Sequence, residues 1–166
     1  MAIEIERRFI IKGDDWKEHA FSSKQIRQGY LSINFEEWII RVRIIDNKDA
    51  FIGMKKSLEG LINDEFEYQI PIKDAELIWK KLDKKLTKRR FDLQFNEDSW
   101  IIDCFQNENY PLIIAEIELE STESIVKSPH WCGKEITGEK KLTNAALARF
   151  PISDWSQQEL KIFNLD

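Results

Sequence analysis

The stretch Glu4-Ile5-Glu6-Arg7-Arg8-Phe9 decides how this chain folds. Residues two apart on a β-strand point to the same face. Glu4, Glu6 and Arg8 therefore share one face of an opening strand, and Ile5 and Phe9 share the other. Alone, such a strand would be an ordinary edge with one wet side. Its meaning comes from later strands with the same parity. Arg41 and Arg43 share a face against Ile40, Val42 and Ile44. Glu65 and Glu67 share a face against Phe66 and Tyr68. Lys88 and Arg90 share one with Phe91 opposite, and Glu116, Glu118 and Glu120 share one against Ala115, Ile117 and Leu119.

The charges are nearly all of one sign within each strand and change sign between strands. A solvated face mixes signs to limit repulsion between neighbours. The opposite faces are strongly apolar, so helices can cover them and the charged face becomes the inside of a closed sheet. A barrel of about eight strands is just wide enough for side chains or one small ligand. Unpaired charges inside would cost several kcal/mol each, so they must neutralise one another or bind ions. Carboxylates offer hard oxygen ligands for Mg²⁺ or Mn²⁺. Arginine forks and lysine ammonium groups suit phosphate oxygens. A site with both suits a metal-bound polyphosphate.

Composition sets the frame. The chain has 166 residues, 42% hydrophobic and 33% charged, which predicts one soluble domain over 1–166. The net charge of −5 predicts no general attraction to nucleic acid or to anionic membrane. No apolar run is long enough to span a bilayer, no signal peptide is recognisable, and a cytoplasmic location is expected. Cys104 and Cys132 are expected to be small buried hydrophobes rather than a disulfide.

Strands are predicted over 2–12, 25–33, 38–46, 49–57, 63–72, 86–95, 98–106 and 111–120. Helical spacing predicts helices over Asp74–Leu82 and Thr143–Phe150; short helices are also expected over Asp14–Ala20 and 121–127, with a last one from an Asp154 cap to about Phe163. The fold class is mainly β within α+β: an eight-stranded antiparallel barrel with helices packed outside.

At these residues the sequence resembles the CYTH superfamily, the triphosphate tunnel metalloenzymes. The opening Glu4-Ile5-Glu6-Arg7-Arg8-Phe9 resembles the family's alternating glutamates followed by a basic residue. Arg27-Gln28-Gly29-Tyr30-Leu31, Arg41-Val42-Arg43, Lys56-Ser57, Glu65-Phe66-Glu67, Lys88-Arg89-Arg90-Phe91, Asp103 and Glu116-Ile117-Glu118-Leu119 follow in order. Lys140-Lys141-Leu142-Thr143-Asn144-Ala145-Ala146-Leu147-Ala148 resembles the C-terminal segment of short bacterial members. The resemblance covers residues 2–150. It implies Glu4, Glu6 and Glu118 as metal ligands, with Glu116 and Asp103 nearby. It implies Arg8, Arg41, Arg43, Lys56, Lys88 and Arg90 as phosphate ligands. Glu65 and Glu67 would position the attacking water or a second metal, and Tyr30 would work beside residue 8. The family usually has Lys at that position; Arg8 keeps the charge but cannot give up its proton. Lys55 competes with Lys56 for the family's lysine, although counting back from Glu65 favours Lys56.

The expected activity is Mg²⁺- or Mn²⁺-dependent hydrolysis of a small triphosphate, inorganic triphosphate first. Alternatives are a nucleoside or thiamine triphosphatase, a class IV-type adenylate cyclase, or a polyphosphate-binding module without catalysis. A homodimer is left open. There is no P-loop pattern, and neither His19 nor His130 has a nucleophilic partner nearby in sequence.

Overall fold

The computed structural model describes residues 2–58 and 62–166. Nine strands form one antiparallel sheet: β1 (Ala2–Ile11), β2 (Ala20–Ile33), β3 (Ile39–Ile45), β4 (Asp49–Ser57), β5 (Ile62–Gln69), β6 (Lys85–Phe95), β7 (Asp98–Phe105), β8 (Ile113–Glu118) and β9 (Cys132–Glu135). The order β5-β4-β3-β2-β6-β7-β8-β1 closes on itself because β1 also pairs with β5. One half of β1 faces β5 (Ala2 opposite Glu65 to Ile5 opposite Ile62), and the other faces β8 (Glu6 opposite Glu118 to Ile10 opposite Ile114). This is the expected eight-stranded barrel. Strand β9 is an addition that pairs with the last part of β1. It can lie that close because of Gly133, where a Cβ would stand 2.8 Å from the Ile10 carbonyl oxygen.

Three helices, α1 (Ile72–Lys81), α2 (Asn144–Arg149) and α3 (Gln157–Ile162), complete the fold. Helix α1 packs on the outer face of β3 and β4, where Ala75, Ile78 and Trp79 meet Val42, Ile44 and Ala50. Helix α2 does something else. Leu142, Ala145, Leu147 and Ala148 pack with Ile10, Tyr30, Leu86, Phe105 and Ile114. By strand alternation those residues lie on the same face as Arg8, Lys88, Asp103 and Glu116. The segment at α2 therefore closes one end of the barrel from within rather than covering its side.

Several expected helices are corrected. Asp15–His19 forms a 3-10 turn, with Trp16 buried. Residues 121–127 are not helical. Ser121 and Ser124 tie each other into a turn, which competes with helix formation. The following chain runs extended and packs Val126 and Trp131 on an outer cluster that contains Phe9, Trp100 and Ile117. The last helix begins after Ser156 rather than Asp154. Ser156 and Glu159 form a reciprocal capping box that satisfies two otherwise orphaned N–H groups, while Asp154 ends a preceding 3-10 turn.

Both cysteines are free and half-buried. Burial pushes the Cys104 thiol up to about 11 and the Cys132 thiol up to about 12. Since the thiolate is the nucleophile, native protein at pH 8 is expected to react with a chromogenic disulfide far more slowly than urea-unfolded protein. Equal rates would contradict this packing.

Candidate active site

Six basic side chains, Arg8, Arg41, Arg43, Lys55, Lys88 and Arg90, meet six carboxylates, Glu4, Glu6, Glu65, Glu67, Asp103 and Glu116, across the barrel interior. They fall into three linked groups.

The first is acidic. The Lys55 ammonium bonds to the Glu4 carboxylate and lies 3.5 Å from Glu6 and 3.8 Å from Glu65. One cation serves three carboxylates. Burial, then the neighbouring Glu6, pushes the Glu4 carboxyl up to about 7, and Lys55 only partly offsets this. Glu6 is also raised, by burial and then by Glu116. Burial alone would lower Lys55, but Glu6 and Glu4 outweigh it and raise it. Glu6 stands directly opposite Glu118 across the β1–β8 ladder, and Glu118 is solvent-exposed at the rim. Like charges in that position repel.

The second group is an arginine pair. Arg41 Nη2 donates to Glu65 at 2.6 Å and to Glu67 at 3.3 Å, and Arg43 lies 3.3 Å from Glu67. Arg43 Nε also donates to the Gln28 side-chain oxygen at 3.1 Å. Burial, then Arg41 and Arg90, lowers Arg43 to about 10. Burial would raise Glu65, but Arg41 and Lys55 outweigh it and hold it below the usual range. Gly53 makes room for this pair: a Cβ there would come within 3.1 Å of Arg41 Nε. Tyr30 is buried and its hydroxyl accepts from the Gln28 amide. Burial raises its pKa, so the phenol stays protonated at neutral pH.

The third group is the floor. Asp103, with a side chain 1% exposed, accepts from Arg90 Nε and Nη2 at 2.7 Å each and from Lys88 Nζ at 2.5 Å. Both its oxygens are engaged. Burial pulls the Lys88 ammonium down to about 8, although Asp103 opposes this. Arg8 donates from Nε to Glu116 at 3.1 Å and from Nη2 to the Leu142 carbonyl at 2.9 Å.

Lys56 is the misplaced expectation. Lys55, not Lys56, faces the tunnel, because Lys55 is the β4 residue directly opposite Glu65. Lys56 lies on the outer face, its ammonium 5.9 Å from the Trp38 ring. The sequence reading also missed Gln28, Gly53 and Asn144. Parity on β2 and β4 singles out Gln28 and Gly53, but nothing in the sequence pattern singles out Asn144.

A divalent cation fits this interior. The donors are all oxygen, and positive and negative side chains are balanced before any polyanion enters. In the acidic group one ammonium, that of Lys55, faces the three carboxylates of Glu4, Glu6 and Glu65. Among the described residues no three acidic, histidine or cysteine side chains form a ready-made metal cage. The Lys55 ammonium instead sits among Glu4, Glu6 and Glu65.

An inorganic triphosphatase of Acetivibrio thermocellus is 35% identical to this chain over 159 residues, which is 95% of this chain and all of that one. This chain belongs to the CYTH superfamily of triphosphate tunnel enzymes. The inorganic triphosphatase of Nitrosomonas europaea is 29% identical over 87% of this chain and 96% of its own. The crystal structure of the inorganic triphosphatase NE1496 superimposes with a TM-score of 0.66 at 27% identity, covering 89% of this chain and 95% of that one. No family model matches the sequence.

The floor makes a stability prediction for this triphosphate tunnel. Removing one partner of a buried charge cluster leaves the others uncompensated and costs about 3–5 kcal/mol. Asp103→Ala is expected to lose about that much in urea unfolding at pH 7. Arg90 and Lys88 outweigh burial and depress the Asp103 pKa. Its contribution is therefore present above the unfolded value near 3.8 and is lost only as pH falls through the folded value. A wild-type midpoint for Asp103→Ala at pH 7 would contradict the assignment.

Proposed function

We propose that this chain is a metal-dependent inorganic triphosphatase that hydrolyses tripolyphosphate to pyrophosphate and phosphate by direct attack of water. The observation that carries this is the set of six cations held against carboxylates on one interior face. It is supported by two relatives of matching length, both inorganic triphosphatases.

In this reading Arg8, Arg41, Arg43, Lys55, Lys88 and Arg90 take phosphate oxygens and spread the charge that develops during transfer. Glu4 and Glu6, with Glu118, would hold the metal, and Glu116 lies nearby as the counter-ion of Arg8 and Arg90. Mg²⁺, or Mn²⁺, supplies Lewis-acid polarisation of the phosphate when bound. Asp103 serves as counter-ion for Arg90 and Lys88 rather than as a ligand, since both its oxygens are taken. Glu65 and Glu67, ion-paired to Arg41, orient the attacking water. Arg8 clamps a phosphate oxygen and moves no proton. The protonated Tyr30 hydroxyl has a proton to donate beside Arg41 and Arg43.

Phosphate release from tripolyphosphate, ATP and thiamine triphosphate, with Mg²⁺, Mn²⁺ or EDTA, tests this. Tripolyphosphate is expected to be the best substrate, and EDTA to abolish turnover. Glu4→Gln and Glu6→Gln are each expected to lower kcat/KM by roughly 100-fold or more. Wild-type turnover in both variants, or cyclic AMP as the main product from ATP, would sink the reading.

Metal binding has its own pH signature. A carboxyl with a pKa of about 7 must lose its proton to act as a ligand. Mg²⁺ binding is expected to release protons below about pH 7 and to stop doing so as the pH rises past that value. Calorimetry in buffers of different ionisation enthalpy reads this directly; binding without proton release at pH 6 would remove Glu4 from the metal site.

A further inference from the structure

The cations of the tunnel floor are held from two directions. One is the barrel wall: Asp103 on β7 holds Lys88 and Arg90, and Glu116 on β8 holds Arg8. The other is the segment that closes the barrel. The Asn144 side-chain oxygen accepts from Lys88 Nζ at 3.0 Å, and the Leu142 carbonyl accepts from Arg8 Nη2 at 2.9 Å.

Lys88 has no exposed side-chain surface, so water cannot stand in for a missing partner. The Phe105 ring also lies against it, 5.4 Å from the ammonium. The segment that supplies the two oxygens is itself fixed. The Thr143 hydroxyl accepts from the Ala146 N–H, and Leu142, Ala145 and Leu147 are buried in the apolar plug. Behind it, the buried Asn109 donates to the Leu147 carbonyl at 3.2 Å and accepts from the Ile152 N–H at 3.0 Å.

The chemistry of the two acceptors matters. Asp103 and Glu116 fix their cations and also cancel their charge. The amide oxygen of Asn144 and the peptide oxygen of Leu142 fix Lys88 and Arg8 without cancelling anything. A neutral acceptor can aim a cation and leave its charge for an incoming anion. A carboxylate in the same place would cancel the floor's one surplus positive charge and weaken its attraction for phosphate.

We propose that Asn144 is a positioning residue for Lys88, and that the Leu142 carbonyl does the same for Arg8. The short link between barrel and α2 is then part of the phosphate-binding floor rather than a stopper alone. This rests on the reading of Lys88 and Arg8 as phosphate ligands.

The test is a double-mutant cycle on the full chain. Tripolyphosphate binding is measured by calorimetry in EDTA, and kcat and KM with Mg²⁺, for wild type, Asn144→Ala, Lys88→Met and the double variant, with melting temperatures for each. Asn144→Ser is the companion variant, since serine suits a helix start but is too short to reach Lys88. Asn144→Ala and Asn144→Ser are expected to weaken binding about tenfold, mostly in KM, with a modest fall in melting temperature because Lys88 loses a buried acceptor. In the Lys88→Met background Asn144→Ala is expected to add nothing. Unchanged affinity in both Asn144 variants, or a loss that persists after Lys88→Met, overturns the proposal while the triphosphatase reading stands. A wild-type chain that binds no tripolyphosphate in EDTA and shows no turnover with Mg²⁺ overturns both.

Discussion

Asp103 has to satisfy two cations at once in a place water does not reach. Its carboxylate takes both ends of the Arg90 fork and the Lys88 ammonium, and almost everything in the tunnel follows from that constraint. Lys88 is completely enclosed and its pKa still falls to about 8, so Asp103 only partly offsets the burial. Arg90 completes the chain of charge by reaching Glu116 at 3.5 Å, and Glu116 in turn holds Arg8. A buried salt bridge is weak evidence for stability, because burying the charges costs more than pairing them returns in many cases. The arrangement makes better sense as preorganisation. The cations are fixed before any ligand arrives, so little rearrangement is needed when negative charge develops among them.

The interior is divided along its length. On β1 the inward series runs Glu4, Glu6, Arg8, Ile10, from carboxylates through a cation to an apolar residue in the plug cluster. On β8 it runs the other way, from Ile114 through Glu116 to the exposed Glu118. The apolar end meets α2, and its burial fixes the closing segment in place. The acidic group lies away from that end, where Glu6 faces Glu118. A triphosphate drawn into such a tunnel would meet the Glu4 and Glu6 carboxylates on one side and fixed cations on the floor. That order follows from strand register alone.

Alternation made most of this legible in the sequence. Period-two parity with segregated sign identified the inward face of β1, β3, β5, β6 and β8, because a one-residue slip would have placed charges in the outer core. Where parity had to be carried across a loop, it failed. Lys55 and Lys56 cannot be told apart without knowing that Lys55 lies opposite Glu65, and that depends on how the hairpin between β4 and β5 is closed. Elements without a period were missed outright. Strand β9 is Cys-Gly-Lys-Glu, four residues with no alternation, and it exists because Gly133 lets it approach β1. Residues 121–127 were expected to be helical, but Ser121 and Ser124 drew the backbone into a turn. Asn144 carried no sequence signal, since its role arises only when α2 enters the barrel.

Arg8 is the point at which fold and chemistry bear most directly on each other. A lysine there would present a single ammonium that could face one partner well. A guanidinium presents a fork, and here the fork is divided, with Nε on Glu116 and Nη2 on the Leu142 carbonyl. The split joins the barrel wall to the closing segment through one side chain that is only 6% exposed. It also removes residue 8 from proton transfer, because guanidinium does not deprotonate in proteins. Tyr30 bonds Gln28 instead, and burial keeps its proton in place. With no titratable partner at residue 8, the proposed mechanism gives the handling of water to the carboxylates Glu65 and Glu67. Arg41 and Lys55 hold the Glu65 carboxyl below its usual range and so make it a weaker base, while Arg41 and Arg43 hold Glu67 in place. Catalysis in this tunnel then rests on orientation and charge more than on proton abstraction, which suits a reaction whose leaving group is already a stable phosphate anion.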